Sequence, residues 1–236
     1  MRVELDAYSK KSASCYRFLL TIAASAGPAT YAIQPLNALA KTVDWFNLMA
    51  YDYSGSWSGT AAHQANLYKS NDTLITPFST KAAVDAYLAA GVAAKQIVLG
   101  MPIYGRAFSN TDGLGKPYSG QPAGTWETGV YDYKVLPQPG ALEFTHVDSG
   151  ATYSYDATKK EFVSYDTPDM VKAKVKWAKG KQLGGSMFWE ASADKTGDKS
   201  LIAKSASEWG NMALDGTVNQ LEYPESVYAN LKAGMV

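Results

Sequence analysis

An α/β fold on a parallel sheet, carrying a small α+β insertion, is predicted by three features of the sequence. Continuous apolar runs of strand length recur, helical patterns closed by glycine separate them, and a Gly/Pro-rich stretch with short aromatic segments interrupts the series. Strands covered on both faces by crossover helices read as unbroken apolar runs, which is why such runs point to a parallel sheet.

The first run, 16–24 (YRFLLTIAA), follows Arg2, Lys10 and Lys11 and ends near Ala24-Ser25-Ala26, the outline of a secretory signal. Glu4 and Asp6 lie in the basic region and the run starts late, so a helix end followed by a buried strand is preferred. The second run is 43–51 (VDWFNLMAY), the third 96–104 (QIVLGMPIY) and the fourth 185–190 (GSMFWE). Between them, 79–90 opens on a Ser/Thr cap, spaces Ala83, Val84, Tyr87 and Leu88 helically, and stops at Gly91. Residues 169–179 repeat the design and stop at Gly180, while 201–210 reads as a closing helix before a polar, loop-like tail. Residues 110–124 are rich in Gly, Pro, Ser and Thr. The segments 126–133, 143–147, 151–155 and 161–165 are then short, aromatic and β-prone, with a hairpin predicted over 153–165. The insertion is placed at 108–166, within a parallel framework of 1–107 and 167–236.

Composition excludes several classes. Lys+Arg and Asp+Glu both total 22, so the surface excess of positive charge that a nucleic acid or anionic membrane requires is not expected. A single cysteine, Cys15, permits no internal disulfide and no Cys-based zinc site, and two histidines, His63 and His146, are few for a metal centre. No metal or cofactor is expected. No apolar run reaches the ~18 residues of a membrane span. A Ser-His-Asp hydrolase using His63 or His146 lacks the G-x-S-x-G elbow. Setting aside an insertion of roughly 60 residues leaves about 176, room for four βα units of about 30 residues and short of the ~250 of a closed eight-unit barrel.

Chemistry is expected at the C-terminal ends of the strands, where parallel α/β folds bind ligands. The second strand ends Met49-Ala50-Tyr51-Asp52-Tyr53 and leads to Trp57, the third ends at Tyr104 before Arg106, and the fourth at Trp189-Glu190. Tyr51 and Asp52 are neighbours, so only one can face inward unless the strand has already ended. Taken singly, each aromatic has rim packing as its alternative role. Together, aromatic faces, a phenol, a carboxylate and a guanidinium suit a sugar, whose apolar faces pack on rings while its hydroxyls and amides need fixed partners.

The segments 44–57 (DWFNLMAYDYSGSW), 98–108 (VLGMPIYGRAF), 126–133 (WETGVYDY) and 184–194 (GGSMFWEASAD) resemble the chitinases of glycoside hydrolase family 18, especially fungal ones. The likeness continues through DKTGDKSLI and LEYPESVY in the tail. It implies strands five to eight of a (β/α)8 TIM barrel, with the family's α+β domain inserted after the seventh strand. It also implies an extracellular protein acting on chitin or chito-oligosaccharide by retaining, substrate-assisted hydrolysis, in which the acetamido oxygen of the sugar attacks the anomeric carbon. By that resemblance Tyr51 would bond the acetamido carbonyl and Asp52 would hold the distorted sugar and the acid residue. Met49, Trp57, Tyr104, Arg106, Glu127 and Trp189 would bind substrate. The triplet Asn71-Asp72-Thr73, an N-glycosylation acceptor, agrees with export.

One departure is decisive. The family's Asp-x-Asp-x-Glu run, which supplies the general acid, occurs nowhere in these 236 residues. Inactivity of the chain alone is therefore expected, with a non-catalytic, lectin-like sugar binder as the alternative function. A four-stranded half-barrel would also expose apolar sheet. A marginal fold, self-association through the open half-barrel, or an incomplete gene model are the three expectations that follow.

Overall fold

The computed structural model describes residues 1–13, 16–210 and 215–234. Cys15 lies outside these residues. In chain order the elements are α1 (Arg2–Ser12), β1 (Thr21–Ser25), α2 (Pro28–Tyr31), α3 (Leu36–Ala40), β2 (Trp45–Met49), α4 (Thr80–Ala89) and β3 (Ile97–Pro102). Then follow β4 (Tyr104–Phe108), β5 (Val130–Asp132), β6 (Leu142–His146), β7 (Ala151–Asp156), β8 (Glu161–Ser164), α5 (Pro168–Gly180), β9 (Gly185–Trp189), α6 (Leu201–Trp209) and α7 (Ala229–Lys232).

β1, β2, β3 and β9 pair in that order, all parallel, while β5, β4, β8, β7 and β6 form an antiparallel sheet in that order. The α/β layout expected from the apolar runs is present, with shorter strands. β1 begins at Thr21, five residues after the run does, and the tail beyond α6 carries the short helix α7. The segment 126–133 contributes only the three residues of β5, preceded by an isolated bridge between Glu127 and Val130.

Local chemistry sets the helices. Ser79 accepts a hydrogen bond from the Ala82 N–H at the start of α4, Thr167 does so from Met170 ahead of Pro168 in α5, and Ser200 from Ala203 in α6. Each satisfies an N-terminal donor that the helix cannot. Their apolar stripes, including Val84, Tyr87, Val171, Val175 and Leu201, bury against Phe46, Leu48, Leu99 and Met101 of the parallel sheet. The Tyr87 hydroxyl donates to the Ser25 carbonyl at 2.9 Å, fastening α4 to β1.

Two findings correct the expected strands and place the site. β2 is not buried on both faces: Phe46 and Leu48 are fully buried, while Trp45, Asn47 and Met49 alternate with them on a half-open face. The third apolar run is also two strands. Ile103 is the hinge, its N–H donating to the Trp189 carbonyl (2.8 Å) in the parallel sheet and its carbonyl accepting from Tyr133 N–H (3.1 Å) beside β5. Tyr104 and Arg106 therefore belong to the first strand of the antiparallel sheet and lean from it over the parallel strand ends. Among the described residues no helix is long and apolar enough to cross a membrane.

Candidate active site

A cavity of about 810 Å³ opens where the parallel strands end against the antiparallel sheet. Ala23, Asn47, Met49 and Met187 line its floor, and Trp189 stands at the end of β9. β2 stops at Met49, and Asp52 takes a left-handed conformation (φ 59°). Asp tolerates that region better than most residues. The turn removes the sidedness constraint that a strand would impose, so Tyr51 and Asp52 both line the cavity. Close packing below them depends on Gly100, where a Cβ would lie 2.3 Å from the Leu48 carbonyl oxygen and 3.1 Å from Tyr51 Cε1.

The polar wall is a connected chain. The Tyr104 hydroxyl donates to Asp52 Oδ1 at 2.7 Å, and Arg106 Nε donates to the same oxygen at 2.9 Å. An Arg106 terminal nitrogen reaches Glu127 Oε1 at 3.3 Å. The guanidinium lies over the Trp57 ring, 5.1 Å from its centroid, and over Tyr104 at 5.5 Å, a cation–π arrangement on two aromatic faces. Trp57 is thus set behind Arg106, and its ring is not part of the cavity lining. The remaining predicted residues, Met49, Tyr51, Asp52, Tyr104, Arg106, Glu127 and Trp189, converge on the one cavity.

These contacts fix the charge states. Burial, reinforced by the Asp52 carboxylate, pushes the Tyr51 phenol up to about 12 and raises that of Tyr104 further. Burial disfavours the Arg106 charge, but the Asp52 carboxylate more than offsets it, and the guanidinium pKa is raised. At neutral pH the wall presents two neutral phenol donors and a fixed cation. Among the described residues no three His, Cys, Asp or Glu side chains cluster as metal ligands would.

Sequence reasoning missed Asn47, Met187, Trp126 and Asp132. Asn47 and Met187 follow from alternation along β2 and β9, once those strands are known to open on one face. Trp126 is 82% exposed at the cavity rim, and its indole N–H donates to Asp132 Oδ2 at 3.0 Å. Lys134 holds the same carboxylate at 2.9 Å. The antiparallel register of β5 on β4, Asp132 opposite Tyr104, brings that pair to the site.

The sequence profile of Glycosyl hydrolases family 18 matches residues 1–194. The chain belongs to this family. The family 18 chain is 52% identical over 236 residues to Endochitinase 1 of Metarhizium robertsii and 51% identical to Chitinase 1 of Aphanocladium album. Each match covers 100% of this chain and 55% of the relative, so the chain spans about half the length of these curated relatives. Among solved structures, chitinase ChiA74 from Bacillus thuringiensis superposes with a TM-score of 0.78 at 30% identity, covering 92% of this chain and 39% of that one. A mutant class V chitinase from Nicotiana tobaccum, solved in complex with NAG4, gives 0.78 at 28% identity over 89% of this chain and 61% of its own. The family 18 fold of these proteins is TIM-barrel-like, and the parallel α/β sheet described above is similar to it.

Proposed function

We propose that the cavity binds β-1,4-linked N-acetylglucosamine oligomers and forms one wall of a substrate-assisted chitinase site. The supporting observation is the chain Tyr104–Asp52–Arg106–Glu127 facing the exposed Trp189 across one cavity. Family membership and relatives named chitinases support the sugar, and the class V chitinase structure from Nicotiana tobaccum holds NAG4. On this reading the parallel strands are barrel strands five to eight, and the inserted α+β domain, placed from the sequence at 108–166, begins instead with β4 at Tyr104, since β4 pairs with β5 and β8 and not with the parallel strands.

The chemistry assigns each group a task. The acetamido oxygen attacks the anomeric carbon as the glycosidic oxygen leaves, giving an oxazolinium ion that water later opens with net retention. Tyr51, a neutral donor, bonds the acetamido oxygen and holds it in line for attack on the anomeric carbon. Asp52, already oriented by Tyr104 and Arg106, holds the distorted sugar from the other side. Trp189 stacks beneath that sugar. Glu127, with Trp126 next to it, meets hydroxyls farther along the chain, and Met49 lines the pocket beneath.

Leaving-group protonation needs a general acid, a contribution of about 10²–10⁴-fold. These 236 residues contain no Asp-x-Asp-x-Glu run. The chain by itself is therefore proposed to bind oligosaccharide without turning it over, the behaviour of a lectin-like member. A fluorogenic chito-oligosaccharide tests this: the expected result is saturable binding with release no faster than for Tyr51→Phe. Release abolished by Tyr51→Phe would restore catalysis to this chain.

Extracellular action belongs to the same proposal, and Asn71 of the acceptor triplet is exposed. β1 and β9 end the parallel sheet, and self-association through them is proposed as well. Gel filtration is expected to show a species larger than the 25.4 kDa monomer. A monomeric peak with a cooperative melt would count against it.

A further inference from the structure

Gln64 lies in no helix or strand, within the segment 53–79 between β2 and α4, yet it is fully buried. Its backbone carbonyl accepts from Tyr53 N–H at 2.9 Å, the residue directly after Asp52. Its own N–H donates to Ser164 Oγ at 3.0 Å. Its side-chain Nε2 donates to the Tyr104 carbonyl at 2.8 Å and to the Ser164 carbonyl at 3.1 Å. Tyr104 begins β4, and Ser164 is the register partner of Arg106 on β8. One buried residue thus joins the turn carrying Asp52 to the strand carrying Tyr104 and Arg106, and to that strand's neighbour.

Resting on the reading of the cavity as an amino-sugar cleft, we propose that Gln64 is a positioning residue that sets the spacing of Asp52 from Tyr104 and Arg106. The left-handed conformation of Asp52 persists only where its surroundings hold it, and the Tyr53–Gln64 bond anchors the adjoining peptide. The residue type follows from the acceptors. Two buried carbonyls facing one point need two N–H donors from a single group, which a primary amide supplies. A Glu there would offer only acceptors when ionised, and a Leu would take from the Tyr104 carbonyl its side-chain donor. Gln64 touches no sugar in this scheme; it acts through the two elements it joins.

The test uses the full 236-residue chain and the Nε–H signal of Arg106, which reports the bond to Asp52 without any ligand. Only three arginines, Arg2, Arg17 and Arg106, contribute to an arginine-selective ¹⁵N spectrum, and Arg106→Lys assigns the signal. Gln64→Leu is expected to shift that signal toward a free guanidinium and to weaken chitotetraose binding by about tenfold or more, as a displaced contact group does. Val175→Ala, fully buried on α5 outside this network, serves as the control. It is expected to lower stability while leaving both readouts unchanged. Should Gln64→Leu not fold, Gln64→Asn, with its amide one methylene short, is expected to give an intermediate shift. An Arg106 signal unmoved in the Gln64 variant, or moved equally by Val175→Ala, overturns the proposal. If the wild-type chain binds no chitotetraose, the sugar reading fails, while the Arg106 signal still decides the role of Gln64.

Discussion

Lys174→Met is expected to destabilise the fold by about 3–5 kcal/mol, the cost of leaving a buried carboxylate without its cation. Lys174 and Asp166 side chains are 2% and 3% exposed, with Nζ 2.8 Å from Oδ1 and 2.6 Å from Oδ2. The third Nζ donor reaches the Ala65 carbonyl at 2.6 Å, so the same ammonium fastens the segment 53–79 to α5. That segment carries Trp57 and Gln64, and its loosening is expected to reach the cavity. Urea denaturation measures the loss. The double variant Lys174→Met/Asp166→Asn, which removes both charges, is expected to recover part of it. A loss no larger than the ~1 kcal/mol of a surface pair would contradict the account.

Stability is also expected to fall steeply with acid because of His63. Its ring is fully buried, 5.3 Å from the His146 ring and 5.8 Å from Tyr153. Burial, then His146, then Lys174, push its pKa down to about 3 from an ordinary 6.5. The folded state resists a proton that the unfolded chain accepts. The contribution is therefore complete above pH 6.5 and is lost progressively as pH falls toward 3. Linkage puts the loss from this one group at roughly 3 kcal/mol between about pH 7 and pH 4. Unfolding free energies across that range are expected to show the slope in the wild type and a flatter one in His63→Leu. Parallel profiles for the two proteins would sink the assignment.

Much of the framework was legible because strands and helix caps carry local signals. Ser79 is a cap that the sequence marks, whereas the cap Thr167 lies two residues ahead of the start read at Asp169, and β2, β3 and β9 fall inside the apolar runs that marked them. Tyr51, Asp52, Arg106 and Trp189 were readable from polar and aromatic residues at ends where a strand alone needs none. The break at Ile103 was not read, since the run stays apolar through Ile103 and Tyr104 and the division comes from pairing with Trp189 and Tyr133. The turn at Asp52 depends on tertiary anchoring of Tyr53, which leaves no trace in local composition. Gln64 shows the limit most plainly. It looks like one polar residue in an irregular segment, and only the partners brought together by folding make it a junction.

Isothermal titration of the chain with chitotetraose and with cellotetraose tests the central claim most directly, because the two sugars differ in the acetamido groups that Tyr51 would bind. Saturable binding of chitotetraose is expected, at least tenfold tighter than cellotetraose, as a site built to bond a polar group rejects the analogue without it. Trp189→Ala is expected to cost a further ~2 kcal/mol or more, the usual loss for a central aromatic contact. Equal affinity for the two sugars, or a Trp189→Ala variant that binds as well as the wild type, would contradict the assignment of this cavity to an N-acetylglucosamine chain.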